Sequence, residues 1–226
     1  MARPHFTRRR AGLLASTLVA LVAGAAPAHA QAWFYPSFQV PAVTDRDYTF
    51  ALGANNGTTA LFQWREGISP QSQLSLDAGI SDPDGDSDAV IFVGGAYARQ
   101  LTTQSSAQPL ALLFTGGAGV AFGGDIDAFL RIPFGVSVGH RFDLENGMSI
   151  TPYVHPRLSV DVCTDNCDAD GGSETDLAID FDLGGSFQLS RQIALRASLV
   201  FSGSDFSDDT GFGIGLTWTP AGVRRR

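Results

Sequence analysis

The amino-acid sequence predicts an all-β chain folded as an up-and-down antiparallel transmembrane β-barrel of about ten strands, with eight as the alternative count. Three observations carry this expectation. Segments of about ten residues alternate apolar with polar or small residues between turn-forming clusters, the period of two that gives a strand two unlike faces. The face opposite the apolar one is built from Gly, Ser, Thr, Asp and Arg rather than the Lys and Glu of a solvated surface. The amino terminus has the order of an export signal.

A chain of 226 residues, 44% hydrophobic with 26 Gly, suits one closed sheet and excludes disorder and collagen. All 15 basic residues are Arg, so chemistry that needs a lysine Schiff base, a P-loop lysine or a Ser-x-x-Lys pair is excluded. Arg8-Arg9-Arg10, the apolar run from Ala11 to Ala26 and Ala28-His29-Ala30 form a cleavable secretory signal over residues 1–30, with cleavage before Gln31. The run is shorter than the roughly 20 residues that span a bilayer as a helix. Loss of Arg3, Arg8, Arg9 and Arg10 leaves 11 Arg against 23 Asp and Glu, a net charge of −12 that argues against nucleic acid as a partner.

Residues 31–44 carry Trp33, Phe34, Tyr35 and Phe38 with Pro36 and Pro41, too aromatic for a free tail and too proline-broken for a long strand. They are expected against the periplasmic mouth or inside the lumen. The barrel then occupies residues 45–219, and 220–226 form a basic tail.

The strands follow in order. Tyr48, Phe50, Leu52 and Ala54 oppose Asp47, Thr49, Ala51 and Gly53; residues 58–66 follow; then Leu74, Leu76, Ala78 and Ile80 oppose Ser75, Asp77, Gly79 and Ser81. Residues 89–101 alternate less cleanly, and 110–122 and 129–142 continue the series. In 148–161 the even positions from Met148 to Val160 are apolar or proline, and the odd positions from Ser149 to Asp161 are polar. Residues 176–189, 192–202 and 211–219 repeat the pattern, the last as Gly211-Phe212-Gly213-Ile214-Gly215-Leu216-Thr217-Trp218. Pro133, Pro152 and Pro156 lie inside strands and cannot donate to a ladder, so bulges or a partial edge are expected there.

Parity sets Arg65, Asp77, Arg131, Arg141, His155, Arg157, Asp180, Asp182 and Arg196 on the inward face, as a charge network that fills the lumen. A constriction that selects solutes is the other reading of the same residues. Tyr48, Trp64, Phe142, Phe187 and Trp218 fall near strand ends on one side, where a membrane interface collects aromatic rings. Alternate connections differ as well. Acid concentrates in one set, Asn55–Gly57, Asp82–Asp88, Gly123–Asp127, 162–175 and Ser204–Asp209, which also includes the longest connections and is placed outside the cell; 67–71, 102–109, 143–147 and 190–191 are periplasmic turns.

With the signal, the two-faced strands and the glycine-spaced last strand in view, the chain resembles the small outer-membrane β-barrel proteins of bacteria with two membranes. The likeness is one of pattern and covers nearly all of 45–219. It implies outer-membrane lipid around the barrel and the barrel insertion machinery as a partner. That machinery reads a terminal aromatic residue, whereas here Trp218 is followed by eight more residues, Thr219 to Arg226.

Little points to chemistry. His155 could serve as a base only with a partner geometry that spacing does not reveal, and it reads as a hydrogen-bonded interior histidine beside Tyr153 and Arg157. Asp82-x-Asp84-x-Asp86-x-Asp88 lacks the glycine and glutamate of a calcium loop, since Ser87 and Val93 stand there. The acidic loops read first as solvated surface and second as weak divalent-cation binders. Cys163 and Cys167 are expected to form a short-loop disulfide, not a metal site. No catalytic residue, metal or cofactor is expected. The expected function is a non-enzymatic outer-membrane barrel, structural or surface-interacting, with a narrow porin, a rim enzyme modifying lipid or peptide, and a soluble secreted β-sandwich as alternatives.

Overall fold

A computed structural model describes residues 35–55, 57–83, 88–123, 126–164, 173–204 and 210–222. The expected signal, the acidic loop tips, Cys167 and the last four residues lie outside the described residues. The strands are β1 (Arg46–Ala54), β2 (Gly57–Ser69), β3 (Ser72–Pro83), β4 (Val90–Thr102), β5 (Ala111–Gly123), β6 (Ile126–Gly139), β7 (Phe142–Asp143), β8 (Ser149–Thr164), β9 (Glu174–Gln188), β10 (Ile193–Ser202) and β11 (Thr210–Trp218).

Each strand pairs antiparallel with its sequence neighbours, and β1 pairs with β11, so the sheet closes on itself. β7 is a two-residue continuation of β6 on the same neighbour, β8, which makes a ring of ten staves. The alternative of two packed sheets is thereby overturned. Successive registers accumulate a stagger of about 12 residues around the ring, which tilts the strands by about 40° from the axis.

The barrel is inside out. Phe50, Leu52, Ile91, Leu177 and Ile179 are each at least 60% exposed on the outer face, while Thr49, Ser159, Asp161, Asp180 and Asp182 are fully buried within. Strands of 9 to 16 residues match the roughly 9–11 residues that a tilted strand needs to cross a bilayer core. Among the described residues no helix is long and apolar enough to cross a membrane.

The prolines are accommodated by interruption rather than by bulges or an edge. The β5–β6 pairing lapses between Gly116–Phe134 and Gly119–Arg131, around Pro133, and resumes in the same register. The β6–β8 pairing lapses between Gly135–Arg157 and Val138–Val154, around Pro156, and again resumes unshifted. Near Pro152 the strand expected over 129–142 breaks at His140 and Arg141. There the Gln104 side chain takes over the ladder's role, accepting from Arg141 N at 2.7 Å and donating to its carbonyl at 3.0 Å.

Inside, aromatic rings lie over glycines of the neighbouring strand. Methyl groups added at Gly79 and Gly184 would fall 2.4 Å from Phe92 Cζ and 2.3 Å from Tyr153 Cζ, their register partners. Gly185, one residue on and on the outer face, has open space around it. Gly184→Ala should therefore cost about 1–3 kcal/mol by overpacking, while Gly185→Ala should be neutral or slightly stabilising. Urea unfolding of the folded barrel in micelles measures both, and a Tyr153→Ala background should abolish the Gly184 penalty.

Candidate functional site

Among the described residues, charged, nucleophilic and titratable side chains converge in the lumen, and part of it is filled by the chain's own residues 35–44. The Tyr35 ring stacks on Phe92 at 5.0 Å, and its hydroxyl donates to Asp77 Oδ2 at 2.9 Å. The Ser37 hydroxyl donates to Asp182 Oδ2 and lies 2.8 Å from His155 Nδ1. Arg65 Nη2 donates to the carbonyls of Ser37 at 3.0 Å and Phe38 at 3.2 Å, and Gln63 also reaches Ser37 O.

Phe38 adopts a left-handed φ of 48°, a conformation a bulky residue takes only when its surroundings impose it. Its ring is 1% exposed and packs against Gly213, in an apolar cluster with Leu61, Phe92 and Phe129. Two tight turns follow, Val40 N to Phe38 O and Ala42 N to Val40 O, and they shorten the segment along the lumen. Ser137 donates to Gln39 O at 2.6 Å. Gln100 donates to Pro41 O at 3.0 Å and accepts from Val43 N at 3.1 Å, and Gln73 accepts from Thr44 N at 2.9 Å.

Beside the segment runs a set of buried ion pairs built by cross-strand register. Arg131 faces Asp161 and grips both its oxygens at 3.0 Å, reaching Asp180 at 3.2 Å as well. Ser202 and Ser204 donate to Asp180 and Asp161 at 2.7 and 2.8 Å. Arg157 pairs with Asp182 at 3.1 Å and approaches Asp180 at 3.9 Å. Nearer the short turns, Arg196 binds Asp47 at 2.8 Å and Thr49 at 3.2 Å. Such charges tolerate burial because each meets an opposite charge and further hydrogen bonds.

Eight of the nine residues expected in the lumen line it. Arg141 does not: its side chain is 51% exposed at the rim, paired with Asp143 at 2.8 Å, because the strand break at 140–141 ends the alternation that pointed it inward. Asp47 and Asp161 share the inward parity and belong with the network, a signal readable from their strands. The Ser37 and Tyr35 contacts carry no such signal, since they join residues 145 and 42 positions apart in sequence. Cys163 is buried at the inner face of β8; its expected partner, Cys167, and the tips of the acidic loops lie outside the described residues. Tyr48 sits opposite both Trp64 and Trp218 on the outer face, and Phe142 and Phe187 flank Ile150. All five aromatics lie toward the short-turn end.

Ser37, His155 and Asp182 invite comparison with a nucleophile relay, and the geometry is wrong for one. A relay places serine and carboxylate on opposite imidazole nitrogens. Here both face Nδ1, with Asp182 at 3.5 Å, and Nε2 is occupied by Thr115 Oγ1 at 2.9 Å. His155 is also 2% exposed, with no room for a substrate. The arrangement fastens the segment to the wall. A cavity of about 350 Å³ remains on the short-turn side, between residues 40–44, Gln100, Gln188 and Arg196, and it reaches the rim at Pro70 and Arg141.

No family model matches the chain, and no curated protein does. Among solved structures it is similar to a bacterial polysaccharide outer membrane secretin, with 11% identity and a TM-score of 0.47 over 79% of this chain and 67% of that one. It is similar to LpxR from Salmonella typhimurium at 12% identity and a TM-score of 0.44, covering 77% of this chain and 100% of that one. It is also similar to the KdgM porin at 7% identity and a TM-score of 0.40, covering 77% and 99%. The likeness is one of fold.

Proposed function

We propose that the chain is a non-enzymatic barrel of the bacterial outer membrane whose lumen is kept shut by its own residues 35–44 and by paired charges. The observation that carries this reading is the segment itself, seated among buried side chains inside a barrel whose apolar face is turned outward. Lipid is the solvent that makes such an outer face favourable, because it keeps the apolar side chains from water, and the closed sheet itself satisfies the backbone groups that lipid cannot pair. The aromatic residues near the short turns suit the inner interface, and the glycine-spaced β11 is the element offered to the insertion machinery.

Two measurements bear on placement. The protein should remain in the membrane fraction and migrate faster on a gel unheated than boiled; soluble periplasmic material overturns the membrane reading. Cysteine introduced at Ser173 should react with an impermeant maleimide on intact cells while one at Glu145 should not, and the reverse pattern inverts the orientation.

The seal makes two further predictions. The native protein should show little or no conductance in planar bilayers, and large steady currents would replace the sealed barrel with an open porin. Arg131→Ala, which strands Asp161 and Asp180, should lower unfolding stability by about 3–5 kcal/mol. Arg141→Ala removes a solvent-exposed pair and should change it by less than about 1 kcal/mol.

A further inference from the structure

Building on the sealed-barrel reading, we propose that residues 35–44 are a displaceable gate, and that their withdrawal opens a narrow pore for small polar solutes in which Arg65 and Asp77 set the charge preference. The wall is shaped around the segment. A methyl group at Gly213 would lie 2.7 Å from Phe38 Cζ and 2.9 Å from Pro36 Cγ; one at Gly139 would lie 2.9 Å from Pro41 Cγ, though there the wall's own Pro152 carbonyl, at 2.4 Å, is closer still. Where the segment passes, the wall has given up side chains, so its departure leaves a passage about as wide as a polypeptide.

Departure breaks no strand pairing. Among the described residues the segment's main-chain bonds to the wall go to side chains, those of Arg65, Gln63, Ser137, Gln100, Gln73 and Asp182, and its backbone-to-backbone bonds are internal turns. The first main-chain tie to the barrel is Gly67 N to Asp45 O at 2.8 Å, just past the segment. The ring of ten staves is complete without it.

The wall's charges respond unequally to withdrawal. Arg131, Arg157 and Arg196 keep their aspartates, all of which are wall residues. Arg65 and Asp77 instead have no wall charge at salt-bridge distance among the described residues: beyond the Gln63 side chain that both touch, the first donates to carbonyls of Ser37 and Phe38 and the second accepts from the Tyr35 hydroxyl. Withdrawal turns one cation and one anion toward the passage, and a permeating solute with donor and acceptor groups finds there what the segment now occupies.

The test uses full-length protein carrying Gly213→Leu, whose new side chain claims the space of Phe38 and Pro36. A second variant keeps the chain length but replaces residues 35–41 with glycine and serine. Folded variant, judged by heat-modifiable migration, should be cut by chymotrypsin after Phe38 in the Gly213→Leu case and should show conductance steps that the parent lacks. In either conducting background, Arg65→Gln should shift the reversal potential in a salt gradient toward cation preference and Asp77→Asn toward anion preference. Folded, segment-released protein that stays silent overturns the gate. Conductance whose reversal potential neither substitution moves overturns the role of Arg65 and Asp77. A parent that conducts as strongly as the variants overturns the sealed lumen instead, which tells the two failures apart.

Discussion

The pairing of β1 with β11 is the contact on which the rest of the molecule depends. Seven consecutive partners, from Tyr48–Trp218 to Ala54–Phe212, remove the two edges that a ten-stave sheet would otherwise expose. Closure creates an inside, and the inside has so little room that the long charged side chains entering it find partners on nearby staves or on the internal segment. The arginine clamp on Asp161 and Asp180, the Arg196–Asp47 pair and the seat of residues 35–44 all follow from the seam being shut.

The alternation of the sequence was enough to say which face of each strand lies inside, because side-chain direction in a strand depends only on parity. Hence Arg65, Asp77, His155 and Asp182 could be assigned to the lumen from their neighbours alone. Parity fails where the strand does, and Arg141 lies two residues past the point where Gly139 ends β6. It is also blind to register, so nothing in the sequence joins Arg131 to Asp161 or Ser37 to His155. The prolines were misread for a related reason. Bulges or a partial edge were expected, yet pairing lapses for two residues and resumes in step, because neighbouring staves on both sides hold the register.

The interior also divides the labour of polar and apolar contacts along the axis. Toward the long loops, Phe38, Leu61, Phe92 and Phe129 make a dry packed layer. Midway lie the charge clamps and the Ser37 fastening, and toward the short turns a cavity of mixed lining opens beside Gln100, Gln188 and Arg196. Glycines opposite the rings make the layers compatible with a radius set by ten staves, since an aromatic side chain and a Cβ cannot share the same cross-section.

The seam and the internal segment share one chain boundary, at Asp45, where residues 35–44 end and the lead into β1 begins. Thr49 and Thr217, hydrogen-bonded across that seam, stand 168 residues apart, so this pairing carries the largest loop-closure cost in the molecule and belongs late in assembly. The last stave to be zipped is therefore the one that carries the filling with it. A ring that shut around nothing would confine Arg65 and Asp77 without the carbonyls and hydroxyl they now hold, and would reopen more readily than the filled one. Attaching the occupant to the closing stave makes correct loading and completion of the wall a single cooperative event.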